Sequence, residues 1–131
     1  MSEKRIRARR IFTQSDFDRF AALSGDDNPI HVDPAFSAET RFGRTVAHGM
    51  LLYSALWGLM REHFPGAVQE TQELMFPVPT YADEPVRLEI DIVAQPAPDS
   101  LELAMRVVAE RDGTLTLDGR TRIALANGGA A

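Results

Sequence analysis

The sequence predicts an α+β domain in which a twisted antiparallel sheet wraps one long apolar helix. Three observations carry that expectation. The segment 47–64, AHGMLLYSALWGLMREHF, leaves almost no polar face over three turns, and a helix apolar all round must be covered by other structure. Beyond residue 85 the chain falls into strict polar–apolar alternation, the signature of half-buried strands. The whole chain has 131 residues, 44% apolar and 25% charged, with no cysteine. That suits one domain over 1–131 with an ordinary core and no disulfide framework.

The elements follow in order. The basic start MSEKRIRARR has no apolar run behind it, so it does not read as a signal peptide. Arg5, Arg7 and Arg9 alternate with Ile6 and Ala8, as on an edge strand with a wet face. Solvation explains these arginines better than phosphate binding. Thr13 then caps a helix, with Asp16 near its positive end and Phe12 and Phe17 spaced for a hydrophobic staple. Phe17, Phe20 and Ala21 fall at helical spacing, and Gly25 ends the helix in the left-handed conformation. A second short helix is expected over 33–43, with Pro34 at its first position and Gly43 as its stop. The apolar helix 47–64 runs roughly 25 Å and halts at Pro65-Gly66.

Strands make up the rest. A short one over 73–76 is closed by Pro77 and Pro79. Val86, Leu88, Ile90 and Ile92 form one alternating set, Leu101 to Ala109 a second, and Leu115, Leu117, Ile123 and Leu125 a third. QPAPDS, 95–100, is the turn between the first two, and Asp112-Gly113 predicts a two-residue type I′ hairpin between the last two. Residues 127–131 read as frayed. The helix covers one sheet face only, and free sheet edges need cover. Edge-to-edge pairing of two copies supplies it, so a homodimer or higher homo-oligomer is expected.

Several functions are excluded or disfavoured. A net charge of −5 argues against a nucleic-acid partner, since phosphates call for a basic surface. The longest apolar stretch, 49–60, is shorter than the ~20 residues of a membrane span, so a cytoplasmic protein without a membrane partner is expected. No glycine-rich phosphate loop and no serine elbow occurs. No metal is expected, because His31, His48 and His63 lack close ligand spacing and there is no cysteine. General acid–base chemistry remains.

Two segments could carry it. Residues 23–33, LSGDDNPIHVD, mix three carboxylates, an amide and an imidazole with the buried-type Leu23, Ile30 and Val32. Gly25 allows a sharp turn, while Pro29 stiffens the chain and pushes Asn28 away from helical geometry. A stiff loop holds Asp26 and His31 in one relation. The competing explanation is that Asp26 and Asn28 satisfy turn backbone while His31 is a packed core histidine. The second segment, FGRTVAHGM at 42–50, leads into the apolar helix. Unpaired N–H groups at Gly49 can there meet a carbonyl oxygen gaining negative charge. Alternatively, Gly49 serves close packing and His48 caps the helix.

Together these segments resemble the MaoC-like dehydratase family, in its short R-specific enoyl-CoA hydratase form. The resemblance is carried by Phe20, Leu23, Ser24, Gly25, Asp26, Asn28, Pro29, Ile30, His31 and Ser37, and by Val46-Ala47-His48-Gly49-Met50. It implies the hot-dog fold, with a long helix inside a sheet, and Asp26 and His31 as the catalytic pair. It also implies the Gly49 N–H as oxyanion donor, and Asn28, His48, Met50 and Trp57 as substrate-binding residues. The implied reaction is the reversible hydration of trans-2-enoyl-CoA, or carrier-protein, thioesters to (R)-3-hydroxyacyl thioesters in fatty acid metabolism. No cofactor is implied beyond CoA as part of the substrate. The chain departs from the family at Trp57, where a small polar residue, often serine, is usual. An indole there points to a shallow or reshaped acyl pocket; simple packing against the sheet is the alternative. A thioesterase on the same fold and a non-catalytic acyl-binding subunit are the other functional classes. Having both Asp26 and His31 in register favours the hydratase.

Overall fold

Alternation in the second half of the chain builds a five-stranded antiparallel sheet. The structure is a computed structural model describing residues 5–126; the frayed tail expected at 127–131 lies outside the described residues. Strands β1 (Arg5–Ile11), β2 (Val68–Met75), β3 (Pro85–Ala97), β4 (Ser100–Ala109) and β5 (Leu115–Ala124) are ordered β1-β3-β4-β5-β2. Leu88 faces Val107, Ile90 faces Met105, and Met105 faces Gly119 across the register. These inward positions are buried, as are Leu101, Leu103, Leu117 and Ile123. Charged side chains on the outward face of β1, β3 and β4 pair with one another: Arg7 meets Asp91 at 2.8 Å, and Arg106 bonds both Glu89 and Asp91.

Four helices complete the fold: α1 (Gln14–Ser24), α2 (Pro29–Val32), α3 (Pro34–Ala38) and α4 (Gly49–His63). At the start of α1 the Thr13 hydroxyl accepts from the Asp16 N–H, and the Asp16 carboxylate accepts from the Thr13 N–H. Such a reciprocal box satisfies two orphan donors, and its hydroxyl is worth about 1 kcal/mol. Phe12 and Phe17 flank it, both fully buried in one core. Gly25 ends the helix at φ 83°, as expected.

Helix α4 packs Leu52, Leu56 and Met60, one stripe at i, i+4 and i+8, against β3, β4 and β5. Its two ends lie inside the expected 47–64. The expectation that it is wrapped on every side does not hold within one chain: Met50 is 52% and Trp57 38% exposed. Five strands curl around one side of the helix, and on the other Phe20 and Gln69 leave Met50 and Trp57 partly open. Strands β2 and β5 approach closely at Gly119, where a Cβ would stand 2.9 Å from the Glu73 backbone oxygen. Glycine there lets β2 press against β5.

Four boundaries differ from the sequence expectation. The helix expected over 33–43 is only α3, because the Thr40 hydroxyl takes the Ser37 carbonyl and ends it, and Gly43 (φ 76°) closes a later turn. The strand expected at 73–76 begins at Val68, kept in register by a bulge between Gln69 and Thr71, and stops before Phe76. Strand β3 continues to Ala97 through two irregularities, so Pro98 and Asp99 alone form the turn expected over 95–100. The hairpin before β5 is a five-residue loop, 110–114, and not a type I′ turn. Only Gly113 has positive φ (73°), while the Asp112 carboxylate accepts from the Thr114 N–H and hydroxyl; a type I′ turn needs positive φ at both central residues. Leu23, read as a buried type, is 86% exposed.

Candidate active site

The bend after α1 is set by short-range bonds. The Ser24 hydroxyl donates to the Phe20 carbonyl and accepts from the Asp26 N–H. Asn28 accepts from the Ile30 N–H at 3.2 Å and so caps α2, with Pro29 at its first position. The segment expected to be a stiff loop therefore contains one helical turn, and His31 rides on it. That turn is clamped to residues 45–46. The Val46 N–H donates to the Ile30 carbonyl at 3.0 Å. Gln14 donates to the His31 carbonyl and accepts from the Thr45 hydroxyl.

The His31 ring is oriented by the Val46 carbonyl, 2.7 Å from Nδ1. A carbonyl only accepts, so Nδ1 carries the proton and Nε2 offers a lone pair. That Nε2 lies 3.8 Å from the Asp26 carboxylate. Asp26 and His31, five residues apart, are thus brought together as expected. The ring is buried yet placed at a cavity with one nitrogen free, unlike a fully satisfied core histidine.

His48 was expected to bind substrate or to cap α4. It occupies the cap position without a side-chain cap bond. Its Nε2–H donates instead to the Asp26 main-chain carbonyl at 2.8 Å. Its ring stacks on His31, centroids 3.8 Å apart and planes at 23°, with Phe20 edge-on at 4.8 Å. Nδ1 is buried and has no partner among the described residues. Burial, aided by His31, pushes the His48 imidazole below the ordinary histidine range, and the bond to the Asp26 carbonyl opposes this.

Sequence spacing gave no metal cluster, yet Asp26, His31 and His48 place one ligand atom each within 4.8 Å of one another. Nδ1 of His48, the nitrogen it does not commit to a carbonyl, is buried, whereas His31 Nε2 and the Asp26 carboxylate lie at the cavity. Those two groups can hold and move a proton there.

A cavity of about 430 Å³ opens over the pair, lined by Asp26, His31, His48, Gly49, Met50 and Phe76 among others. The N–H groups of Gly49 and Met50 have no hydrogen-bond partner among the described residues, while those of Leu51 and Leu52 fall to the His48 carbonyl. The start of α4 therefore offers two donors and the positive helix end to this cavity. A Cβ on Gly49 would meet the Phe76 ring at 2.6 Å; glycine allows that contact. Two expected residues lie elsewhere. Asn28 spends its side-chain oxygen capping α2 and is exposed. Trp57 lines an adjoining groove with Tyr53 and Gln69, and Phe20 and Met50 form a wall common to both spaces. Phe76 and Thr80, which also line the cavity, were missed. The Pro77–Pro79 stretch gave only a stop signal, and folding alone returns it to the helix start through the Ala47 N–H to Thr80 carbonyl bond, 2.8 Å.

Comparison with known proteins agrees with this fold. The family model of the MaoC like domain matches residues 2–121. An (R)-specific enoyl-CoA hydratase of Aeromonas caviae is 32% identical over 93% of this chain and 92% of its own length. A 3-hydroxybutyryl-CoA dehydratase of Methylorubrum extorquens is 32% identical over 88% of this chain and 74% of its own. Among solved structures, the (R)-hydratase of A. caviae superposes with a TM-score of 0.88 at 33% identity, over 95% of this chain and 96% of that one. An R-hydratase of Pseudomonas aeruginosa gives 0.88 at 27% identity, over 95% and 81%.

His48 links this site to stability. An unfolded chain protonates the ring near the ordinary value of 6.5, and the folded protein only at lower pH. Between those values the unfolded state binds more protons, so stability rises with pH there. The contribution is complete above pH 6.5 and is lost as pH falls below it. Denaturant unfolding from pH 7.5 to 5 should show a steeper loss in wild type than in His48→Gln; parallel curves would remove this account.

Proposed function

Because the chain belongs to the MaoC-like domain family, we propose that it adds water reversibly across the double bond of trans-2-enoyl-CoA, or carrier-protein, thioesters to give (R)-3-hydroxyacyl thioesters. It is a hydro-lyase. The observation carrying the mechanism is one cavity holding a bare imidazole nitrogen, a carboxylate 3.8 Å from it, and the open N–H groups of Gly49 and Met50.

A water seated between Asp26 and His31 donates to both. One of them removes a proton as the water oxygen bonds to the β carbon. Electrons then move from the double bond to the thioester oxygen, where the Gly49 N–H receives the charge; one such donor is typically worth about 3 kcal/mol of barrier. The pair, having taken a proton from the water, returns one to the α carbon as the thioester carbonyl reforms, so the sum is one water added. Proton transfer by groups already aligned contributes the remaining advantage. No redox cofactor or metal enters the scheme, and CoA serves as a handle. Met50 is read as a wall of the acyl site, and Asn28 as a residue that positions His31 through α2.

Two finer readings belong here. Trp57 closes the groove leading from Met50 along α4 and bounds the acyl group, favouring short or compact chains. Two copies are read as joining at the sheet edges: β2 pairs on one side only, with Val68 and Met75 each 62% exposed. No helix among the described residues is long and apolar enough to cross a membrane, which is consistent with thioester turnover in the cytoplasm.

Crotonyl-CoA should lose its enoyl absorbance with the protein present, without release of free thiol; thiol release instead would point to a thioesterase. Asp26→Asn and His31→Ala should each lower kcat by about 10³-fold with an unchanged circular dichroism spectrum. Activity retained in either variant rejects the pair. Trp57→Ala should gain turnover on octenoyl-CoA relative to crotonyl-CoA, and an unchanged ratio overturns the boundary role. Sedimentation equilibrium should give at least twice the 14.5 kDa chain mass; a single-chain mass rules out the paired edges.

A further inference from the structure

We infer that His48 is a positioning residue that holds both members of the proposed pair in one relation, one through each side of its ring function. This rests on the hydration reading above. Asp26 lies in an exposed bend whose side chain is 55% accessible. Its carbonyl has one hydrogen-bond partner among the described residues, the His48 Nε2–H. His31 is pinned at Nδ1 by the Val46 carbonyl, but a single bond leaves the ring free to tilt about the bond axis. The face of His48, 3.8 Å away, is what limits that tilt. One imidazole therefore sets the height of the carboxylate and the plane of the acid–base ring.

His48 itself is firmly placed. Its carbonyl accepts from the Leu51 and Leu52 N–H groups, and Phe20 and Phe17 flank the ring. The residue gives up something for this role. At a helix cap a short oxygen-bearing side chain would satisfy an orphan donor, whereas His48 makes no cap bond and leaves Nδ1 buried and unpartnered. A local rule broken beside a cavity is the pattern expected where alignment outweighs helix stability. The ring borders the cavity, but it is 2% exposed and its Nε2–H is already committed to the Asp26 carbonyl, so that donor is not available to a substrate.

Three variants separate the two jobs. His48→Gln keeps an amide N–H for the Asp26 carbonyl and loses the ring. His48→Phe keeps the ring and loses the donor. His48→Ala loses both. On crotonyl-CoA, Ala should lower kcat about tenfold or more with KM within twofold, and Gln and Phe should each recover part of the loss. A rise in KM at constant kcat overturns the inference in favour of substrate binding. Unchanged kcat in His48→Ala also overturns it, as does a loss that tracks melting temperature equally in all three. A wild type without hydratase activity would refute the reaction, and the positioning role would still be read from long-range ¹H–¹⁵N spectra of His31. These should show the Nδ1–H tautomer in both proteins, held by the Val46 carbonyl, with the His31 ring cross-peaks broadened by motion in His48→Ala; unbroadened cross-peaks overturn the role.

Discussion

The bond from His31 Nδ1–H to the Val46 carbonyl is the constraint on which the site depends. It settles the tautomer and turns the free nitrogen towards Asp26. Val46 is in turn held by a bridge to Tyr81, and its N–H grips the carbonyl of Ile30. That places it between the connection joining β2 to β3 and the helical turn bearing His31. The chain leaves Val46 and within three residues begins α4, whose stripe Leu52, Leu56 and Met60 is locked into the sheet. Burial of that stripe, at roughly 1.5–3 kcal/mol per side chain, is thus what fixes the start of the helix beside the acid–base pair.

The same packing explains where the molecule is left open. A sheet of five strands concave towards α4 covers one flank of the helix, and the cavity forms at the N-terminal end of that flank. There Phe76 and Thr80 return from β2 to meet Gly49 and Ala47. Polar groups are rationed in this space. Asp91 on the far face of the sheet, by contrast, is bonded by Arg7 and Arg106 and held below the usual carboxylate range. Charges that serve solubility are paired on one face, and the groups available for chemistry lie on the other.

Much of this was legible in the sequence, for physical reasons that differ by element. Period-two alternation marked β3 and β4 because one face of each is buried. Thr13, Asp16 and Gly25 marked α1 because helix ends have few chemical solutions. Asp26 and His31 stood out through a motif, and a helical turn at Pro29–Val32 converts their sequence separation into proximity. What escaped depended on tertiary contact. The early start of β2 relies on a bulge, and the end of α3 on the Thr40 hydroxyl. The partnership of His48 with Asp26 relies on two segments 22 residues apart. Trp57 was placed by register alone, and its actual surroundings are set by Gln69 and Tyr53.

Both imidazoles in this cavity take their aim from peptide oxygens, those of residues 46 and 26, and not from neighbouring side chains. A carbonyl is present whatever amino acid a codon specifies. Drift at position 46 can thus exchange one β-branched residue for another while the orienting acceptor stays where it is. Alignment of this kind is inherited with the path of the main chain, and a scan that truncates side chains one at a time would pass over its source.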